Sequence, residues 1–300
     1  MGNDTEKASN MKLVYLAAIV GHTFWGFSFM ASRVALDRAH MFLLLSHRFI
    51  LAFAVLSVLV LTGIVKTGLR RKKILPVLVL GMAEPVVYFL GEQYGILNSN
   101  TIFSGVMIAM IPVACTLAAA PVLKEIPSFG QLFFSVLSVA GVIGTGMLSS
   151  GSGALKIGGV IGLLVAVLSA MVYTLLGRSI SGSYTPFERT YVMMGLGAGV
   201  FTLLAVCYCK GNPGVYLRPL ADPGYLAAVL FLGICCSVGS FLMTSYAITY
   251  ISVARATVFA NLTTAVSVFA GAVFLKEPFS AVGLLFCVMI LVGIYGVQRT

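Results

Sequence analysis

Glu84, Tyr88 and Glu92 recur at four-residue spacing within one apolar run, so on a helix they share a face. Glu84 and Glu92 are the two acids that lie well inside such runs. A charged carboxylate at the centre of a bilayer costs roughly 2.5–3.5 kcal/mol on insertion scales, so this face must look into protein or water. Carboxyls so placed can carry a proton or take a polar group of a ligand. Glu84 is near the middle of its run and Glu92 near one rim, which makes Glu84 the carboxyl expected to gain and lose a proton, with His22 as relay partner. The competing reading is a permanently protonated Glu84 bonded across to the first helix. Pro85 follows directly and removes a backbone donor, loosening the helix where two access states could differ.

Glu92 and Arg48 come at matching depths on consecutive runs, which predicts an ion pair between their helices, structural or part of an outer gate. His22, Trp25 and Phe29 follow one another on a helical face with Ser28 close by, an aromatic stripe beside an ionisable group that suits a binding cavity. The competing role is helix packing, with His22 bonded to a carbonyl. The second half offers Tyr173, Ser240, Thr244, Tyr246, Phe259 and Asn261 for the opposite wall. The expected substrate-binding set is therefore His22, Trp25, Ser28, Glu84, Tyr88, Tyr173, Ser240, Tyr246, Phe259 and Asn261.

The elements that position these residues are set by solvent. Of 300 residues 59% are hydrophobic and 9% charged, and mean hydropathy is +1.04, whereas a soluble domain carries roughly 25% charge. The apolar residues gather into runs of about twenty, the length a helix needs to cross a bilayer. Spans are predicted near 12–31, 41–62, 74–96, 101–122, 129–148, 157–177, 187–208, 225–248, 253–275 and 280–297. Lys and Arg number 19 against 9 acids, but they lie in short connectors and form no stripe for nucleic acid. With the N-terminus inside, Lys7, Lys12, Lys66, Arg70, Arg71, Lys72, Lys73, Lys124, Arg178, Arg189, Arg255 and Arg299 fall on the inner side. Arg33, Arg38, Lys156, Lys210, Arg218 and Lys276 fall on the outer, a bias that predicts both termini in the cytoplasm. The six cysteines sit in or at the rim of apolar runs with no CxxC spacing, so neither a disulfide framework nor a metal site is expected. The polar start runs into an apolar stretch too long for a cleaved signal, so the first span is expected to stay.

An internal repeat appears at an offset of 152 residues. Tyr94 meets Tyr246, Val106 meets Val258, Leu123-Lys124-Glu125 meets Leu275-Lys276-Glu277, and Gly141 and Gly144 meet Gly293 and Gly296. Five spans per repeat is odd, so the halves, residues 10–148 and 152–300, must be inverted. That is the design from which many secondary transporters derive alternating access.

Trp25-Gly26-Phe27-Ser28-Phe29, His47-Arg48, Tyr94-Gly95-Ile96 through Pro112, and the Lys-Glu turns at Lys124-Glu125 and Lys276-Glu277 together resemble the EamA-like members of the drug/metabolite transporter superfamily. The resemblance implies an all-α membrane protein of ten helices in two inverted five-helix repeats, exporting or exchanging small metabolites. It departs at Ala170-Met171, where an aromatic pair often mirrors the first helix, and at Thr264, the repeat partner of Pro112. The reading is an exporter of amino acids or drug-like amphipathic compounds in the plasma membrane. Its partners are a small-molecule substrate, the lipid bilayer and protons, with a second copy of the chain a candidate; no cofactor or nucleic acid is expected. A passive facilitator, a lipid flippase and a membrane receptor or scaffold are the alternatives; a scaffold has little reason to keep ionisable groups at mid-depth. Catalysis is not expected: no span contains an aspartate cluster for magnesium, HExxH is absent, and Ser28 in Gly26-Phe27-Ser28 lacks an evident base. The spans offer little basic charge at mid-depth beyond Arg48 near one edge, which argues against sugar phosphates.

Overall fold

The computed structural model describes residues 2–69, 72–115, 118, 128–151, 155–180, 182–250 and 253–299; the side chains of 2–11, 149–151, 177–179, 245, 248–250, 253–258, 260, 261 and 298 lie outside the description. The described residues are helical and contain no strand. Helix α1 spans Gly2–Leu36, α2 Met41–Leu61, α3 Leu75–Leu97, α4 Thr101–Cys115, α5 Phe129–Gly151, α6 Ile157–Ile180 and α7 Pro186–Tyr208. Helix α8 joins Pro223–Leu230, Phe231–Ser240 and Phe241–Tyr250 in series; α9 is Val253–Val273 and α10 is Ala281–Arg299. Seven apolar stretches among them are long enough to cross a membrane, and shorter ones at Thr101–Cys115, Leu262–Val273 and Ala281–Val297 bring the apolar spans to ten.

Local chemistry sets the helix starts. The Asn100 side chain accepts from the Phe103 amide at 2.7 Å to open α4, and Asp222 accepts from the Tyr225 amide at 2.7 Å to open α8. Thr185 and Glu188 close a reciprocal capping box around Pro186 at the start of α7. These ends sort into two faces. Arg38 pairs with Asp222 at 3.1 Å, His40 stacks on Tyr208, and Glu277 accepts from the Thr101 and Ile102 amides at 2.6 and 2.9 Å, all on one face. On the other, Glu188 accepts from Lys72 Nζ at 2.6 Å and from the Gly68 amide at 2.8 Å.

The predicted continuous third and eighth helices are instead interrupted by π-helical turns, at Met82–Val87 in α3 and Phe231–Ser240 in α8. With the 152-residue offset, residues 82–87 fall on 234–239, inside the second turn, so the two halves unwind at equivalent places.

The halves also meet through equivalent glycines. A Cβ on Gly141 would lie 2.6 Å from Ile290 and one on Gly144 2.5 Å from Phe286. Reciprocally, Gly293 faces the Phe134 carbonyl and Ser138, and Gly296 faces the Phe134 ring. Residues 134 and 138 are the repeat partners of 286 and 290, so α5 and α10 present the same patch to each other. Where lipid already solvates apolar side chains, such close backbone approach supplies the association. The α2–α7 contact is another large joint between halves, with Phe49 on Phe201 at 5.0 Å and Gly197 on Phe49 and Pro85.

Candidate functional site

Between the halves lies a cavity of about 240 Å³. Its polar lining is His22, Ser28, Arg48, Glu84, Tyr88, Glu92, Thr263 and Thr264, and its aromatic lining is Trp25, Phe29, Phe89 and Phe241. Gly105, Ile108, Ala109, Ile111, Pro112 and Ala170 complete it. Three repeat-equivalent pairs, Phe89 with Phe241, Ile111 with Thr263 and Pro112 with Thr264, border this one space, so it sits astride the relation between the repeats.

The break in α3 aims Glu84 inward. Its backbone is extended, at φ −135° and ψ 117°, inside an otherwise helical segment. Ser169 of α6 donates to the neighbouring Ala83 carbonyl at 2.7 Å and ties the break down. Among the described residues Glu84 makes no hydrogen bond or ion pair. Glu92 accepts one bond on each oxygen, from Tyr88 Oη at 2.9 Å and from Gln93 Nε2 at 2.8 Å. On the facing wall His22 Nδ1 lies 3.1 Å from Thr263 Oγ1, while the Thr263 hydroxyl donates to the His22 carbonyl at 3.2 Å. The Thr263 hydroxyl has one proton to give, so when it goes to the carbonyl the ring must donate from Nδ1, and when it goes to the ring Nδ1 is the acceptor. Edge contacts from His22 to Trp25 at 5.2 Å and from Trp25 to Phe241 at 5.4 Å bind α1 to α8 across the site.

The cavity mixes charged, polar and aromatic surface among apolar helices. The profile of the EamA-like transporter family matches residues 12–147 and again 157–299. The chain belongs to the EamA-like transporter family. The transporter is 32% identical over 287 residues to an uncharacterized transporter, YcxC, of Bacillus subtilis strain 168, covering 94% of this chain and 91% of the relative. It is 26% identical to an uncharacterized transporter of Archaeoglobus fulgidus over 289 residues, 96% of this chain and 99% of that one. A solved crystal structure superposes at TM-score 0.66 over 95% of each chain with 19% identity, a likeness of fold. The transporter is a multi-pass membrane protein whose relatives are named as transporters.

The transporter's cavity brings together His22, Trp25, Ser28, Glu84 and Tyr88 of the expected set. Ser28 lies in the wall with its hydroxyl turned to the Trp25 carbonyl at 2.7 Å. The others lie elsewhere. Tyr173 packs against Val77, Leu80, Tyr184 and Met193, and Ser240 donates to the Cys235 carbonyl at 3.2 Å outside the lining. Tyr246 and Phe259 join Tyr15, Val14 and Ala18 in a separate cluster. The Asn261 side chain and the Lys124-Glu125 turn lie outside the described residues. The expected Arg48–Glu92 pair is corrected: among the described residues no direct ion pair joins them. Arg48 Nε donates to Ser237 Oγ at 2.8 Å and the guanidinium lies 4.4 Å from the Phe89 ring centre, because the π-helical turn of α8 carries Ser237 to it. Phe241 and Thr263 went unread, though the repeat pointed to them through Phe89 and Ile111.

Proposed function

We propose that the chain is a secondary transporter that carries small amphipathic metabolites, amino acids or drug-like compounds among them, outward across the plasma membrane by alternating access. Both termini and the 66–73 loop are cytoplasmic in this reading, and Glu84 is the proton-coupling carboxyl with His22 as its relay. One observation carries the proposal: a cavity bordered by both inverted halves holds a carboxyl, Glu84, that makes no hydrogen bond or ion pair among the described residues. Midplane sites between repeats are where alternating access operates on a substrate. A volume near 240 Å³ falls below the roughly 300–1,000 Å³ of sites for drug-sized ligands and favours the smaller metabolites. Aromatic lining from Trp25, Phe89 and Phe241 suits an apolar body.

Proteoliposome flux with Glu84→Gln tests the coupling. The amide keeps shape and hydrogen-bonding capacity but cannot ionise, so substrate should still bind while an imposed pH gradient no longer drives flux. An undiminished response to the gradient would remove Glu84 from the coupling role. Trp25→Ala and Tyr88→Ala should weaken substrate binding; unchanged affinity with lowered stability alone would move the site elsewhere.

A further inference from the structure

Arg48 is almost fully buried, yet its cationic fork is mostly unspent. Nε donates to Ser237 Oγ at 2.8 Å, and the plane lies over Phe89 with its central carbon 4.4 Å from the ring centre. Neither Nη has a hydrogen-bond partner among the described residues. Arg48 is itself a lining residue of the cavity, so the unspent fork borders that space. Glu92, the acid expected to neutralise it, accepts one hydrogen bond on each oxygen, from Tyr88 and Gln93, and acts on Arg48 through space with no direct ion pair among the described residues. A buried charge left without direct pairing is costly, and a ligand that completes it gains what the protein leaves unmade.

The geometry points to Arg48 as the specificity-determining anchor for a carboxylate on the transported metabolite, taken by the two free Nη groups while Ser237 and Phe89 hold the guanidinium in place. A planar carboxylate matches two parallel N–H donors. A phosphate could meet the same fork, but its second negative charge would face Glu84 and Glu92 with no lysine or further arginine among the described lining residues to offset it. Trp25, Phe241, Ile108 and Ile111 add apolar surface to the same wall. The fitting ligand is thus a small monocarboxylate with an apolar or aromatic body. The inference rests on the reading of this cavity as the transport site.

The test uses the full chain in lipid nanodiscs with matched probes: phenylalanine against phenylalaninamide, leucine against leucinamide, and inorganic phosphate as the competing anion. Wild type should bind the acids about tenfold or more tightly than the amides, the scale of a charge-assisted double hydrogen bond. Arg48→Gln should erase that preference. Ser237→Ala keeps the charge but frees the fork, and should narrow the preference without changing amide binding; it stands in if Arg48→Gln fails to fold. Equal binding of acids and amides by wild type, an acid preference that survives in Arg48→Gln, or saturable binding of phosphate with none of the acids would each overturn the assignment. Acids bound through Arg48 but never exchanged across proteoliposomes would instead defeat the transport reading and leave the anchor standing.

Discussion

Removing the Glu188 carboxylate tests the best-tied joint on the face that carries the 66–73 loop. Its side chain is 4% exposed and accepts from three donors: the Thr185 amide at 2.9 Å, the Gly68 amide at 2.8 Å and Lys72 Nζ at 2.6 Å. In Glu188→Ala the α7 start loses its half of the capping box, about 1 kcal/mol. The Gly68 amide can turn to water, because Gly68 is exposed, so that bond costs about 0.5–1 kcal/mol. Lys72 is 32% exposed, and solvent screening reduces its charge-assisted bond to about 1 kcal/mol. The sum is roughly 3 kcal/mol, which at about 2–4 °C per kcal/mol lowers the midpoint of thermal unfolding in detergent by about 6–12 °C. Glu188→Gln can still accept from a backbone amide and should lose less than half of that. Lys72→Ala combined with Glu188→Ala should cost clearly less than the two singly, since both remove one bond. A fall of less than about 2 °C, or additive losses in the double variant, would refute the joint as drawn.

Three further outcomes follow from the same coordinates. A Cβ at Gly105 would come within 2.7 Å of Ser267 Cβ, so Gly105→Ala should destabilise by about 1–3 kcal/mol and reduce flux, and Ser267→Gly should restore both, as read by unfolding midpoint and proteoliposome exchange. A cysteine placed at Gly68 should resist an impermeant thiol reagent in intact cells while one at Ala221, on the opposite face, reacts; the reverse pattern inverts the topology. His40, in the connection before α2, has its imidazole pKa held below the usual value by burial. The folded state then binds fewer protons than the unfolded one below about pH 6.5, so stability should decline as pH falls through that range. His40→Asn, which keeps a cap acceptor, should flatten that part of the stability profile.

The sequence displayed the spans, the inversion and the polar half of the site, and concealed which way the apolar residues face. Runs of twenty apolar residues and the Leu-Lys-Glu register are strong because the bilayer demands the first and duplication preserves the second. Glu84, Glu92, Arg48 and His22 stood out because polar groups are expensive in lipid. Tyr246 and Phe259 were misassigned because an apolar side chain is equally content against lipid, another helix or a cavity, so helical periodicity does not mark the inward face. The Arg48 partner was misjudged for a different reason. Depth along ideal helices does not register a π-helical turn, and the turn in α8 rotates Ser237 into reach. Glu277 was read as one half of a repeat signature, whereas its carboxylate closes on the Thr101 and Ile102 amides at the start of α4.

The reciprocal glycine contact of α5 with α10 is isologous: Gly141 meets residue 290 as Gly293 meets its equivalent 138, and Gly144 meets residue 286 as Gly296 meets 134. Such self-complementary pairing is the mark of a two-fold dimer, in which one surface serves as its own partner. The chain is therefore put together as a pair of identical subunits would be, one inserted upside down relative to the other, with the covalent link added afterwards. Divergence has been unequal across that ancestral symmetry. The joint has kept matching glycines in both copies, whereas Tyr88 faces Ser240 and Glu92 faces Thr244 across the repeat, so the acids belong to one half alone. Duplication supplied two equivalent frames, and the specialisation of one of them gave the vestibule its chemical polarity.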